Sequence, residues 1–145
     1  MIEIKFKKLI PEAEIPTVAN KGDIGWDVVA PLRTLLRPLK TTKVRTGFAV
    51  SIPPGYEIQV RGRSGKALKH ELTISQGIGT IDSGYRGEVC ILIRNNSLAS
   101  YMVEPGDKIA QLVIKKQYDV VWKEVDELDE TERGESGFGS SDSNS

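Results

Sequence analysis

Short stretches that alternate apolar and polar residues, cut by Pro-Gly turns, constrain this chain more than any other feature. Ile2, Ile4 and Phe6 share one face of a first strand. Val44, Phe48, Val50 and Ile52 share a face of another, and Tyr56, Ile58 and Val60 a face of the next. Successive side chains of an extended backbone point to opposite faces, so each set makes one dry face and one wet face. Pro54-Gly55 between the last two fits positions i+1 and i+2 of a type II turn. Pro105-Gly106 does the same before a strand over Lys108 to Lys116, where Ile109 and Val113 alternate loosely with Lys108 and Gln111. Val89 to Ile93 is continuously apolar and predicts a central strand buried on both faces. No amphipathic helix is evident, and at most one helical turn follows Ser64. Short strands with regular turns indicate an all-β sandwich or barrel.

With 145 residues the chain is long enough for one domain with its own core. The composition changes after Val125. Glu124, Asp126, Glu127, Asp129, Glu130, Glu132 and Glu135 meet few apolar partners, and glycine and serine then dominate. The expected division is a β core over 1–125 and an arm over 126–145 that cannot order itself alone. Yet the arm carries Arg133 and Phe138, which a purely solvating tail does not need. Net charge is zero, which argues against a nucleic-acid binder. A local basic group remains in Arg61, Arg63, Lys66 and Lys69. Cys90 is the only cysteine, so no disulfide forms within the chain, and a reducing compartment follows. With no paired base in sight, Cys90 reads as a small buried hydrophobe. The first residues, Met1 to Phe6, form neither a signal peptide nor a membrane span, and the cytoplasm is the expected location.

Several residues carry chemistry. Arg63-Ser64-Gly65 offers a fixed cation, a hydroxyl and an unshielded amide, three donors that suit phosphate oxygens. The spacing of a P-loop is absent. Asp82 follows the apolar Ile81 and precedes a glycine turn and Tyr85. Its carboxylate can take a proton from an attacking water. On local sequence alone, a turn-capping aspartate is the favoured explanation. Asp27 lies in the apolar run Trp26 to Ala30 and needs a partner, either an arginine or a metal-bound water. His70 has no companion ligands and reads as a surface or structural residue. Phe138, between Gly137 and Gly139, can stack on a flat ring. Arg133 can then reach the far end of a polyphosphate, with the arm acting as a lid.

In order, these pieces resemble the five motifs of the trimeric dUTPases. They are Gly25 to Ala30; Arg63-Ser64-Gly65; Gln76 through Gly79 and Asp82 to Gly87; Pro105 to Leu112; and Arg133 to Ser141. The resemblance implies a jelly-roll homotrimer with its active sites at subunit interfaces. It implies Mg²⁺-assisted hydrolysis of dUTP to dUMP and pyrophosphate, which limits uracil incorporation into DNA and supplies dUMP for thymidylate synthesis. Asp82 would be the general base for water attacking the α-phosphorus. A β-hairpin from about Gly79 to Cys90, with Thr80 and Ile81, would read uracil. Gln76, at the start of the third motif, would border the substrate. Tyr85 would lie under deoxyribose and reject a 2′-hydroxyl. Ser64, Gly65 and Gln111 would hold phosphates, supported by Arg63. Arg133 would bind the γ-phosphate, Phe138 would cap the uracil, and Gly139 and Ser140 would close with it. Asp27 would contact magnesium only through water. Some members of the family bind other proteins, so a regulatory partner is a further expectation.

The chain departs from the usual motifs at Gly62, where proline is common, and at Lys66, where leucine is. Ser136 replaces a glycine, and Gln76 stands where asparagine or glycine is frequent. None of these removes a catalytic group. A dCTP deaminase of the same fold would need a glutamate base beside the turn. A non-catalytic binding module would hold dUTP without releasing pyrophosphate.

Overall fold

The computed structural model describes residues 1–142. Among them are β1 (Lys5–Lys8), β2 (Trp26–Val29), β3 (Thr34–Leu36), β4 (Thr41–Arg45), β5 (Phe48–Ser51), β6 (Tyr56–Arg61), α1 (Ser64–His70), β7 (Leu72–Ile74), β8 (Gly79–Ile81), β9 (Cys90–Asn95), β10 (Tyr101–Val103) and β11 (Lys108–Lys116). One antiparallel sheet runs β2-β11-β6-β8 and a second runs β4-β9-β7. The pairs β1-β5 and β10-β3 complete a jelly-roll-like sandwich, the all-β class expected from the sequence.

The alternation explains the core. Ile58 and Val60 of β6, Ile91 and Ile93 of β9, and Ile109 and Leu112 of β11 pack in one buried cluster with Val28, Phe48 and Val50. Burying one such side chain contributes about 1.5–3 kcal/mol. Asn95 is fully buried at the end of β9 and keeps its polar atoms paired. Its amide donates to the carbonyls of Leu36 (3.0 Å) and Ala99 (2.8 Å), and its oxygen accepts from the Ser97 amide and hydroxyl. Both Pro-Gly turns form as expected. Gly55 and Gly106 have φ of 87° and 88°, and Asp107 N–H closes the second turn on Glu104 O at 3.0 Å.

Four expectations change. The first strand begins at Lys5, leaving Ile2 exposed. Val44 and Phe48 belong to two strands, because the chain bends at Thr46-Gly47. There Gly47 adopts φ 73° and the Thr46 hydroxyl donates to Val89 O at 2.5 Å. β9 is central, between β4 and β7, but buried on one face only: Ile91 and Ile93 are buried, whereas Cys90 and Leu92 are half-buried beside a cleft. The helix after Ser64 runs seven residues rather than a single turn, and ends where Glu71 takes the left-handed conformation.

Strand pairing ends at Lys116, ahead of the composition change at Val125. Beyond it Val121 and Trp122 are 94% and 93% exposed. The last three residues of the expected arm, 143–145, lie outside the described residues.

Candidate active site

β8 pairs with β6, while β9 pairs with β4 and β7. Residues 82–89 are therefore a loop crossing between sheets, not the β-hairpin expected for the third motif. The crossing opens a cleft of about 390 Å³. Gln76, Gly79, Thr80, Ile81, Asp82, Tyr85 and Cys90 all line it, together with Lys43, Val60, Glu88, Val89 and Leu92. Gly79 permits the close pairing with β6, since a Cβ there would stand 3.1 Å from Val60 Cβ.

The loop turns at Asp82, whose carbonyl accepts from Tyr85 N–H at 3.1 Å. The Asp82 carboxylate is exposed and has no hydrogen-bond or ion-pair partner among the described residues. It does not cap the turn. The Tyr85 hydroxyl donates to Glu88 O at 3.0 Å, folding the half-exposed ring over Gly87. The Cys90 thiol donates to Glu88 Oε2 at 3.2 Å. Burial, reinforced by that carboxylate, pushes it up to about 11. It stays protonated at neutral pH, which suits a packing residue and not a nucleophile.

A second opening, about 350 Å³, is polar and contains Gly25, Asp27, Arg63, Lys108 and Gln111. Asp27 is 7% exposed on β2. Its Oδ1 pairs with Arg63, and its Oδ2 with Lys108 Nζ at 2.8 Å. The partner that the sequence demanded is thus two cations, one before α1 and one at the start of β11. Gln111 faces Asp27 across the β11–β2 register and donates to Gly62 O at 3.2 Å. Ser64 and Gly65 open α1 and are exposed, and they line neither opening. The expected basic group disperses: Arg61 donates to Gln59, Lys66 to the Tyr101 hydroxyl, and Arg63 to Asp27. His70 packs its ring 4.6 Å from that of Tyr101, a structural role.

The arm is built of successive turns. Arg133 Nε donates to Ser136 O at 2.9 Å, and Ser140 N–H to Gly137 O at 3.1 Å. Phe138 is fully exposed, with φ 50° beside Gly139 at 82°. Arg133, Phe138, Gly139 and Ser140 line neither opening. One chain thus gathers the third-motif residues in one cleft and Asp27, Arg63 and Gln111 in another, and leaves the arm apart. Sequence reasoning missed Glu88, Lys43 and Lys108. Neither Lys108 nor Glu88 was legible, because each pairs with a residue far along the chain, Lys108 with Asp27 and Glu88 with Arg45.

The dUTPase family profile matches residues 11–142. The chain belongs to the dUTPase family. Membership makes it an enzyme of the nucleotide-hydrolysing class that the motifs implied. The chain is 47% identical to the deoxyuridine 5'-triphosphate nucleotidohydrolase of Zymomonas mobilis over 141 residues, 96% of this chain and 97% of that protein. It is 44% identical to that of Clostridioides difficile over 140 residues, 97% of this chain and 98% of that one. Among solved structures, a mutant dUTPase of Staphylococcus bacteriophage 80alpha with dUpNHpp superposes with a TM-score of 0.89 at 33% identity, covering 96% of this chain and 98% of that one. A mutant dUTPase from phage phi11 of S. aureus coordinates a structural Mg(II) ion; it superposes with a TM-score of 0.81 at 30% identity, covering 88% and 99%. Among the described residues no helix is long and apolar enough to cross a membrane.

Proposed function

We propose that the protein hydrolyses dUTP to dUMP and pyrophosphate, with Asp82 as the general base. One observation carries this reading: the unpartnered Asp82 carboxylate stands beside Tyr85 at the mouth of a cleft of nucleoside size. An unpaired carboxylate in a half-open cleft is free to orient a water and take its proton as that water attacks the α-phosphorus. Gly79, Thr80 and Ile81 offer backbone groups to the edge of uracil, with Gln76 and Cys90 alongside. Tyr85 supplies a flat face for deoxyribose. Gln111 offers an amide donor to phosphate oxygens, with Ser64 and Gly65 at the nearby chain turn and Arg63 holding the local geometry through Asp27. The arm, bringing Arg133, Phe138, Gly139 and Ser140, closes over the nucleotide and excludes water. The product dUMP serves thymidylate synthesis, and the loss of dUTP keeps uracil out of DNA. A cytoplasmic location fits that role.

The donor set bears on magnesium. Among the described residues no group of three His, Cys, Asp or Glu side chains could hold a metal. Asp27 is already paired by two cations, but each carboxylate oxygen keeps a second lone pair. Such a residue fits an ion carried on the triphosphate and contacted through water. When bound, Mg²⁺ supplies charge neutralisation on the phosphates.

We take the protein to be a homotrimer with shared sites, and two apolar features support self-association. Residues including Ile4, Phe6, Ile15, Trp26 and Ile114 line an open groove of about 470 Å³. Val120, Val121 and Trp122 stand in solvent beyond β11. Both need cover, and a second copy of this chain supplies it. The test is pyrophosphate release from dUTP, dTTP, dCTP and UTP. Release from dUTP alone supports the reading. Ammonia from dCTP would make the protein a deaminase, and dUTP binding without release a binding module.

A further inference from the structure

Glu88 is the one cleft residue with a fully organised carboxylate. Its side chain is 18% exposed. Arg45 at the end of β4 grips it with a fork, Nε at 3.1 and 3.2 Å and Nη2 at 2.9 Å. The Cys90 thiol adds a donor to Oε2 at 3.2 Å. The neighbouring backbone is stapled to the same bend. Val89 N–H donates to Phe48 O at 2.9 Å, and Val89 O accepts from the Thr46 hydroxyl. Residues 88 and 89 are thus fixed to 45–48, the bend between β4 and β5.

Tyr85 depends on that anchor. Among the described residues its hydroxyl has one partner, the carbonyl of Glu88. Its ring lies against Gly87, where a Cβ would stand 2.6 Å from Cζ. Its backbone is also held within the loop, by Tyr85 N–H to Asp82 O at 3.1 Å and Arg86 Nη1 to Tyr85 O at 2.9 Å, while the ring is 47% exposed. The hydroxyl end of the ring is therefore positioned by the backbone of Glu88. The Arg45 fork serves a second purpose: it neutralises a carboxylate that would otherwise repel a polyphosphate beside the cleft.

We propose that the Arg45–Glu88 pair is a positioning device for Tyr85, setting where the ring meets the sugar and hence how well a 2′-hydroxyl is rejected. This rests on the reading of Tyr85 as the sugar platform. In this role Arg45 and Glu88 act through the tyrosine.

The test compares Glu88→Ala, Arg45→Ala, Tyr85→Ala and the double variant Glu88→Ala/Tyr85→Ala, measuring the ratio of kcat/KM for dUTP to that for UTP. A misplacement of about 1 Å can cost about 10²-fold, and a partial slackening is expected to lower the ratio roughly tenfold in either clamp variant. In the Tyr85→Ala background, Glu88→Ala should change the ratio no further, because the device has lost what it positions. A merely structural role would lower the melting temperature and leave the ratio intact, which overturns the proposal, as does an additive double variant. If Glu88→Ala does not fold, Arg45→Ala carries the same comparison, since Arg45 is half-exposed and its loss leaves the β4 core side chain in place. A crystal structure of the clamp variant reads the ring without reference to turnover. A displaced Tyr85 supports the proposal and an unmoved one refutes it, even if the wild-type protein prefers another nucleotide.

Discussion

Replacing Gly25 by alanine separates the site from the fold. Gly25 lies under Gln111, and a Cβ there would overlap Gln111 Oε1 and stand 3.0 Å from its Cδ. The obstructed atoms are the far end of a flexible side chain, so the amide moves and the backbone stays. To regain an ordinary van der Waals separation the amide must retreat by about 1 Å or more. That breaks its hydrogen bond to Gly62 O, at a cost of about 1 kcal/mol. Gly25 has no positive φ, so alanine also removes unfolded-state entropy, worth about 0.4–1 kcal/mol in the other direction. The two nearly cancel, and the melting temperature should hold within a few degrees. Catalysis should not hold. A 1 Å misplacement of a positioning group costs about 10²-fold, and kcat/KM for dUTP should fall by roughly that factor. Gln111→Ala should match it, and the double variant should be no worse than either. The assay is pyrophosphate release beside a thermal melt. Full activity in a folded Gly25→Ala enzyme would refute the placement of Gln111 at the phosphates.

Deleting residues from Arg133 onward should leave the melting temperature nearly unchanged, since the described arm lies outside the core, and should cripple turnover; a large drop in melting temperature would make the arm structural. Asp82→Asn and Arg133→Ala chains, each nearly inactive, should regain activity when unfolded together and refolded. If the two groups of one site come from different chains, about one quarter of sites are intact; a mixture no more active than its parents would place both groups on one chain. With the Cys90 thiol at about 11, about one molecule in 10³ is thiolate at pH 8, against about one quarter for an ordinary cysteine. Iodoacetamide should label the folded protein about two orders of magnitude more slowly than the unfolded chain, and Glu88→Ala should speed labelling by removing the adjacent carboxylate. Equal rates in folded and unfolded protein would contradict the burial of the thiol.

What was legible in the sequence is what local chemistry decides. β6 shows its period of two, and Ile58 and Val60 are buried as that period requires. Pro54-Gly55 and Pro105-Gly106 become the turns their dihedral preferences dictate. The run Val44 to Ile52 misled because its apolar positions continue across the Gly47 bend, which is stabilised by a bond to Val89, far along the chain. Val89 to Ile93 misled for another reason: its second face is apolar because it lines a cleft, and periodicity cannot separate that from a buried face. The cleft residues from Gln76 to Cys90 are close in sequence and were readable together. The apolar run announces that Asp27 needs a partner, but which cations pair with it, and the clamp on Glu88, depend on residues distant in sequence.

The most direct measurement is single-turnover hydrolysis of dUTP by Asp82→Asn beside the wild type, with nucleotide binding measured on the same samples. The amide keeps the size of the carboxylate but cannot take a proton. Binding should persist while the rate falls about 10²- to 10⁴-fold, the usual contribution of a general base. A folded Asp82→Asn enzyme that releases pyrophosphate at close to the wild-type rate would contradict the assignment of Asp82 as the base.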